Sequence, residues 1–265
     1  MAPFNTEIGI SSWFGYKYSY EERFKLIKDA GFQSVMIWWG EEEKHKESTP
    51  HIARKYGLKI ENVHLPFFNI NAIWENSSGG EELFNKYLLN IDDCRKHEIP
   101  TAVMHVTSGE NPPPYNQLGL DRFKRLIEKA EKNGVTIALE NVHTLEHLDF
   151  IFDNIKSDRL KFCYDSGHEH CFTPGKDCLS KYGHRLAALH LHDNDGTGDQ
   201  HMLPFSSSVN WERIMNKLKE LNYKGALTLE VDAQYSNVIN DYTAEKFLLE
   251  AKNRAVKLID SYILK

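Results

Sequence analysis

The sequence lacks the features that mark several large classes of protein. No hydrophobic run approaches the roughly 20 residues of a membrane-spanning helix, and the opening Met-Ala-Pro-Phe-Asn shows neither the basic nor the apolar region of a secretory signal peptide. The four cysteines form no CxxC pair, so no zinc knuckle or dithiol motif is predicted. Scattered cysteines of this kind are typical of reduced thiols. We therefore expect a cytoplasmic protein that does not bind membranes.

Positive charge is also scarce. The 32 Lys and Arg residues are outnumbered by 38 Asp and Glu residues, which gives a formal net charge of −6. A protein that binds nucleic acid must neutralise several phosphates. The acidic run Glu41–Glu43 and the apolar segment 65–70 provide no evident basic strip for that purpose. The charge balance argues against nucleic-acid binding, although a local basic groove is compatible with it.

Strand-like and helix-like segments alternate along the whole chain. Amphipathic segments with apolar residues at three- and four-residue spacing include Phe24, Leu83, Phe123 and Trp211. Strand-like runs lie between them, near 7–12, 33–38, 58–64, 101–106, 135–140, 160–165, 186–192 and 226–231. Eight such units in 265 residues match a (β/α)8 TIM barrel, and without GxGxxG after the first strand a doubly wound sheet is the weaker alternative. We predict a single TIM-barrel domain over residues 1–265, with 107–117 as its only long loop.

Six of the strand-like runs close on a side chain that binds divalent metals. These residues are His64, His105, Glu140, Asp165, His190 and Glu230. Because side chains alternate between the faces of a strand, Glu140 lies on the face opposite to Ile137 and Leu139. The apolar face is expected to pack on the outer helices, so the polar face points into the barrel, with its last residue at the rim where barrel enzymes keep their active sites.

The expected metal core consists of Glu140, Asp165, His190 and Glu230. Three carboxylates and one imidazole suit Mn²⁺, Mg²⁺, Co²⁺ or Zn²⁺. Buried together without a cation, the carboxylates would repel one another. The alternative for each residue taken alone is a helix cap or an ion pair with a lysine at the rim.

A second candidate cluster follows the seventh strand. Asp199 and His201 are spaced to chelate one ion from a single loop, and His168 would complete that site. The alternative is a polar loop whose side chains satisfy turn backbones. His64 and His105 are either further ligands or hydrogen-bond donors to a substrate. Four other histidines are interpreted as supporting residues at the rim: His143, His147, His170 and His192.

Several of these segments resemble the xylose isomerase-like TIM-barrel superfamily, over essentially the whole chain. The most specific are Ala138-Leu139-Glu140-Asn141, Asp165-Ser166-Gly167-His168, His190-Leu191-His192-Asp193, Asp199-Gln200-His201 and Leu229-Glu230. In its ketose epimerase branch, one metal ion is held by residues that match Glu140, Asp165, His190 and Glu230. In its endonuclease IV branch, three zinc ions are held by nine ligands, which match His64, His105, Glu140, Asp165, His168, His190, Asp199, His201 and Glu230.

The resemblance implies a metal-dependent isomerase or epimerase that acts on a small sugar or sugar phosphate. The cofactor would be one divalent ion (Mn, Zn, Co or Mg), and the proton would move through a metal-stabilised enediolate. Glu140 and Glu230 would act as base and acid, and His168 would hold a substrate oxygen. Dehydration of a polyol ketone starts with the same step. Four aromatic residues are expected to wall the sugar, with barrel–helix packing as the alternative: Trp13, Trp38, Phe67 and Phe68.

Two other functions remain open from the sequence. The alternative enzyme is a phosphodiester hydrolase of the AP endonuclease family 2, with up to three zinc ions and nucleic acid as its partner. A non-catalytic sugar-binding barrel or an interaction protein is the third possibility. After Asp199-Gln200-His201, the segment 203–208 (Leu-Pro-Phe-Ser-Ser-Ser) replaces the Gly-Glu-Gly turn of many relatives, which puts the usual substrate in doubt. An oligomer is compatible with the sequence.

Overall fold

A computed structural model describes residues 7–40, 45–238 and 240–262, and its centre is a parallel sheet of eight strands. The strands are β1 (Ile8–Ser11), β2 (Ser34–Trp38), β3 (Lys59–His64), β4 (Thr101–Met104), β5 (Thr136–Glu140), β6 (Leu160–Asp165), β7 (Leu186–His190) and β8 (Leu227–Leu229). Their order is β7-β6-β5-β4-β3-β2-β1-β8. The sheet closes where the Leu191 amide donates to the Thr228 carbonyl (2.9 Å) and the Glu230 amide donates to the Leu191 carbonyl (3.0 Å). The predicted (β/α)8 TIM barrel is confirmed; the run Glu41–Glu43 lies outside the described residues.

Nine α-helices surround the barrel in the described parts of the chain. They are α1 (Tyr20–Asp29), α2 (Thr49–Lys55), α3 (Ser78–Lys96), α4 (Gln117–Asn133), α5 (Glu146–Asn154), α6 (Ser166–Phe172), α7 (Cys178–Tyr182), α8 (Trp211–Glu220) and α9 (Ala244–Tyr262). The four predicted amphipathic segments lie in α1, α3, α4 and α8. In α4, Asn116 caps the first turn by accepting from the Gly119 amide (3.0 Å), and Gly134 ends the helix at φ 71°. None of the described helices combines the length and hydrophobicity needed to cross a bilayer.

The prediction that 107–117 is the only long loop is wrong. Residues 191–210 separate β7 from α8, and residues 230–243 separate β8 from α9. The first of these loops is organised by the buried carboxylate of Asp193, which accepts from the amide of Val209 (3.0 Å) and the indole of Trp211 (3.1 Å). Asp193 also pairs through its backbone with Met202, so the loop folds back over the barrel mouth.

The strands contribute to two separate apolar clusters. Residues such as Ile137 and Leu139 belong to the large core that includes the helices, as the alternation of side chains predicted. The second cluster, which we call the floor, consists of Val103, Ala138, Cys163 and Ala188, all fully buried. Each floor residue precedes by two positions, and therefore shares a face with, one candidate ligand: His105, Glu140, Asp165 and His190. The floor thus lies inside the barrel, beneath the candidate site.

Candidate metal centre

Four strands deliver the predicted metal core to one place. Donor atoms of Glu140, Asp165, His190 and Glu230 all lie within 4.8 Å of one another. The first three residues are fully buried, and the Glu230 side chain is 20% exposed. Three of them end β5, β6 and β7, and Glu230 directly follows β8. The convergence expected from their positions at strand ends is therefore present in the fold.

The Glu140 carboxylate lies at the centre of four imidazoles. Its Oε2 is 3.2 Å from His64 Nε2, 3.6 Å from His105 Nε2 and 3.3 Å from His190 Nδ1. Its Oε1 is 3.0 Å from His168 Nδ1. His64 is the last residue of β3 and His105 directly follows β4, so both face the same carboxylate as the predicted core residues. Glu140 is shared by three groups of potential metal ligands.

A second carboxylate, Asp199, lies close to three imidazoles, of which His168 also faces Glu140. Its Oδ2 is 3.2 Å from His201 Nε2 and 3.4 Å from His168 Nε2. Its Oδ1 is 3.4 Å from the Nε2 of His192, which also lies 3.1 Å from Asp165 Oδ1. His192, interpreted from the sequence as a supporting residue, is fully buried and lies between two predicted ligands. All nine predicted ligands are brought together, and His192 is added to them.

Backbone carbonyls fix the tautomer of three of these histidines. A carbonyl oxygen only accepts, so the imidazole Nδ1 that contacts it must carry the proton. These contacts are His64 to Leu65 (2.8 Å), His168 to Asn141 (3.0 Å) and His201 to Glu230 (2.8 Å). In each case Nε2 is the ring nitrogen that faces a carboxylate. Metal-binding histidines are commonly oriented by such a contact on their second nitrogen.

Unpartnered polar atoms show that the site fits a cation. Both carboxylate oxygens of Glu140, Asp165 Oδ2, Asp199 Oδ1 and both ring nitrogens of His190 are buried without a hydrogen bond of acceptable geometry. A buried polar atom without a partner costs about 1–3 kcal/mol. Short donor distances with poor hydrogen-bond angles are what side chains aimed at a common point produce. Carboxylates and imidazoles suit a divalent transition metal or magnesium.

The charged groups of the site shift one another's pKa. Burial lowers the pKa of His168, but the carboxylates of Asp165 and Asp199 raise it more, to well above its ordinary value. Burial likewise lowers the pKa of His201, and its contacts with Asp199 raise it to about 10. Burial raises the pKa of Glu230, and His190 and His201 lower it below its ordinary value. In the protein alone, protons on imidazoles balance the carboxylates, so a bound cation competes with those protons.

A cavity of about 550 Å³ opens above these residues. Trp13, Trp38 and Phe67 line it, as the sequence predicted, whereas Phe68 is 64% exposed and does not. The predicted ligands on its wall are His64, His105, Glu140, His168, Asp199, His201 and Glu230. Among the described residues that line the cavity, none is a lysine or an arginine. The cavity therefore combines aromatic residues on its wall with potential metal ligands at its bottom, and its described lining offers no Lys or Arg to a phosphate.

Two further residues of the cavity, Phe172 and Asp232, were not predicted. Phe172, at the end of α6, stacks on the imidazoles of His143 (3.6 Å between ring centroids) and His168 (5.1 Å). Asp232 accepts from the Trp13 indole (2.7 Å) and from the backbone amide of Tyr235 (3.1 Å). Asp232 follows Glu230 by two positions, and this spacing was the one signal in the sequence. Phe172 carries no comparable signal, because its place depends on the short helix α6.

The chain belongs to the xylose isomerase-like TIM barrel family, whose model matches residues 24–251. The uncharacterised protein y4fM of Sinorhizobium fredii is 27% identical over 275 residues, covering 85% of this chain and 86% of that protein. A D-psicose 3-epimerase of Enterocloster bolteae is 30% identical over 119 residues, covering 41% of this chain and 37% of the epimerase.

Solved structures share the fold over nearly the whole chain. A D-tagatose 3-epimerase-like protein superposes with a TM-score of 0.74 at 20% identity, covering 97% of this chain and 99% of that structure. An IolI protein with a bound zinc atom superposes with a TM-score of 0.79 at 18% identity, with the same coverage. At these identities the likeness establishes the barrel architecture.

Proposed function

We propose that this protein is a divalent-metal-dependent isomerase or epimerase of a small, unphosphorylated sugar. The observation that carries the proposal is the pair of glutamates that face one imidazole at the base of the cavity. His190 Nδ1 lies 3.3 Å from Glu140 Oε2 and 3.0 Å from Glu230 Oε2. The epimerases among the relatives and the shared barrel support the same reaction class.

The proposed reaction is proton transfer at a carbon next to a carbonyl. A divalent ion held by Glu140, Asp165, His190 and Glu230 would polarise the substrate's carbonyl and hydroxyl oxygens and acidify the C–H bond between them. Glu140 and Glu230 come from different strands, so they are the groups that would remove the proton and return it. His168 would donate a hydrogen bond to a substrate oxygen.

The cavity wall supports a neutral carbohydrate as the substrate. Trp13, Trp38 and Phe67 offer aromatic surface to the C–H faces of a sugar. A phosphate group is ordinarily held by Arg or Lys, and the described lining contains neither. This is why we favour a free sugar over a sugar phosphate.

A phosphodiester hydrolase remains the second candidate, because all nine ligands of the endonuclease IV pattern converge. The lack of cationic side chains in the described cavity lining counts against it, as does the net charge of −6. Cleavage of a DNA duplex that contains an abasic site, by protein loaded with zinc, would favour the hydrolase.

Hydrogen exchange from solvent tests the isomerase. Metal-loaded protein incubated with a panel of ketohexoses and ketopentoses in D₂O is expected to introduce deuterium next to the carbonyl, detected by NMR. Glu230→Gln should lower the exchange rate by about 10²–10⁴-fold, since it removes a proton-transfer group but keeps its shape. Glu212→Gln, on the exposed side of α8, is the matched control and should exchange at the unaltered rate. Absence of exchange with every ketose would contradict the proposal.

A further inference from the structure

Asp232 is a buried carboxylate on the cavity wall, and the proposed proton transfer does not use it. It follows Glu230 by two positions, at the seam where β8 pairs with β1. Its Oδ2 accepts from the Trp13 indole (2.7 Å). Its Oδ1 accepts from the backbone amides of Gln234 (2.6 Å) and Tyr235 (3.1 Å). Because both oxygens bind N–H groups, the carboxylate is held in one orientation.

The backbone around Asp232 is fixed as well. The Asp232 amide donates to the His201 carbonyl (3.0 Å), and the Ala233 amide donates to the Phe14 carbonyl (3.2 Å). Gly15 has a φ of 97°, and a Cβ at this position would lie 2.7 Å from Asp232 Oδ1. The loop that follows β1 and the loop that follows β8 therefore meet closely at the Asp232 carboxylate.

Asp232 binds the polar end of a residue that walls the cavity. The indole N–H is the one polar group of a tryptophan side chain, and in Trp13 it donates to Asp232. The buried guanidinium of Arg23 lies 5.4 Å from the centre of the Trp13 ring. The Trp13 amide donates to Ser11 Oγ at 3.3 Å. The hydrogen bond to Asp232 thus fixes the edge of a ring whose surface faces the cavity.

We propose that Asp232 is a positioning residue that determines how tightly the cavity binds its sugar, because it fixes the Trp13 indole in the cavity wall. The inference rests on the proposed function, which makes this cavity a sugar site. Trp13 is not one of the groups that move the proton, so it contributes equally to binding of the substrate and of the transition state. Loss of such binding raises KM and leaves kcat nearly unchanged.

Asp232→Asn tests this role with a side chain of the same shape. Two backbone amides still need an acceptor at Oδ1, so the new NH2 group faces the Trp13 indole, and two donors cannot bond to each other. KM is measured from hydrogen exchange with the ketose that the wild type exchanges fastest. We expect KM to rise about 10-fold and kcat to change less than about 2-fold.

A second substitution shows whether Asp232 acts through Trp13. Trp13→Phe lacks the indole N–H and should also raise KM by about 10-fold. Asp232→Asn combined with Trp13→Phe should raise KM little beyond Trp13→Phe alone, because both remove the same interaction. Asp241→Asn, at an exposed position in the loop between β8 and α9, is the matched control and should keep the wild-type KM.

The indole resonance of Trp13 tests the hydrogen bond without a substrate. The protein has five tryptophans, and the ¹H–¹⁵N indole peak of Trp13 is the one that Trp13→Phe removes from the spectrum of zinc-loaded protein. Asp232→Asn should move this peak upfield, because a hydrogen bond to a carboxylate is lost. Asp241→Asn should leave the peak in place.

Three results would overturn the proposal: an unmoved Trp13 peak in Asp232→Asn, an unchanged KM, or KM effects of the two substitutions that simply multiply. If Asp232→Asn fails to fold, Trp13→Phe decides the question, and an unchanged KM in that variant refutes the proposal. A wild type that exchanges no ketose would remove the proposed function. A Trp13 peak that moves in Asp232→Asn would then still identify Asp232 as the residue that positions this wall.

Discussion

The rim and the floor of the barrel interior are built from the same strands but differ completely in chemistry. At the rim, Glu140 and His190 are buried among other ionisable groups and have unpartnered polar atoms. Two residues earlier on the same face, Ala138 and Ala188 belong to a small apolar cluster. On each of these strands, two positions therefore separate an ionisable side chain from a small apolar one. We infer that the floor holds the rim side chains in place, as catalytic groups require.

The floor occupies only one side of the barrel interior, and the other side is polar at the same depth. Thr228, two residues before Glu230, is fully buried and donates its hydroxyl to the Glu61 carboxylate. Ser34 and Thr228 both crowd Gly9, where a Cβ would lie 2.7 Å from each hydroxyl. At this depth β2, β3 and β8 thus carry polar side chains and β1 carries Gly9, while β4 to β7 carry the apolar floor.

The largest expected effect comes from the rim. Glu140→Gln keeps the shape of the side chain but removes the charge that four imidazoles face. We expect ketose hydrogen exchange to fall by about 10³-fold or more, since a ligand and a proton-transfer group are lost together. An unchanged exchange rate would show that Glu140 neither holds the ion nor transfers the proton.

A substitution in the floor should affect the stability of the fold in the first place. Ala138→Leu inserts a larger side chain into the fully packed cluster around Val103 and Cys163. Overpacking of this kind should lower the free energy of unfolding by about 3 kcal/mol, measured by urea denaturation. An unchanged urea midpoint would mean that the interior has room at this level and that the floor does not hold the rim side chains.

The sequence predicted which side chains face into the barrel, because this follows from simple alternation along each strand. The same alternation places His192 on the face of His190, so its inward position could have been read from the strand predicted over 186–192. Alternation does not predict that β7 ends at His190, nor how the following loop folds. That loop depends on the Asp193 carboxylate, which accepts hydrogen bonds from residues 14 to 18 positions further along the chain.

The position of the Glu61 side chain could not be predicted from alternation along β3. The register between β2 and β3 shifts, so Ile60 pairs with Val35 and Asn62 with Met36, and Glu61 becomes an extra residue. An irregularity of this kind depends on how two strands meet, which one strand's pattern does not encode. The polar part of the floor was consequently absent from the predictions, although the ligands above it were present.

The smallest expected effect concerns this same carboxylate and depends on pH. Burial raises the pKa of Glu61, and the hydrogen bond from Thr228 lowers it in part. The net pKa is about 7, against an ordinary value of 4.5. Between pH 4.5 and pH 7 the folded protein binds more protons than the unfolded chain. The contribution of Glu61 to stability is therefore present below pH 4.5 and is lost as the pH rises through 7. The change that Glu61→Gln causes in the free energy of unfolding should therefore be more stabilising at pH 8 than at pH 5, by about 2 kcal/mol. Urea denaturation at both pH values measures the difference, with Glu128→Gln on the exposed face of α4 as the control. An equal effect of Glu61→Gln at both pH values would mean that Glu61 titrates as an ordinary surface carboxylate, and the polar part of the floor would then be open to water.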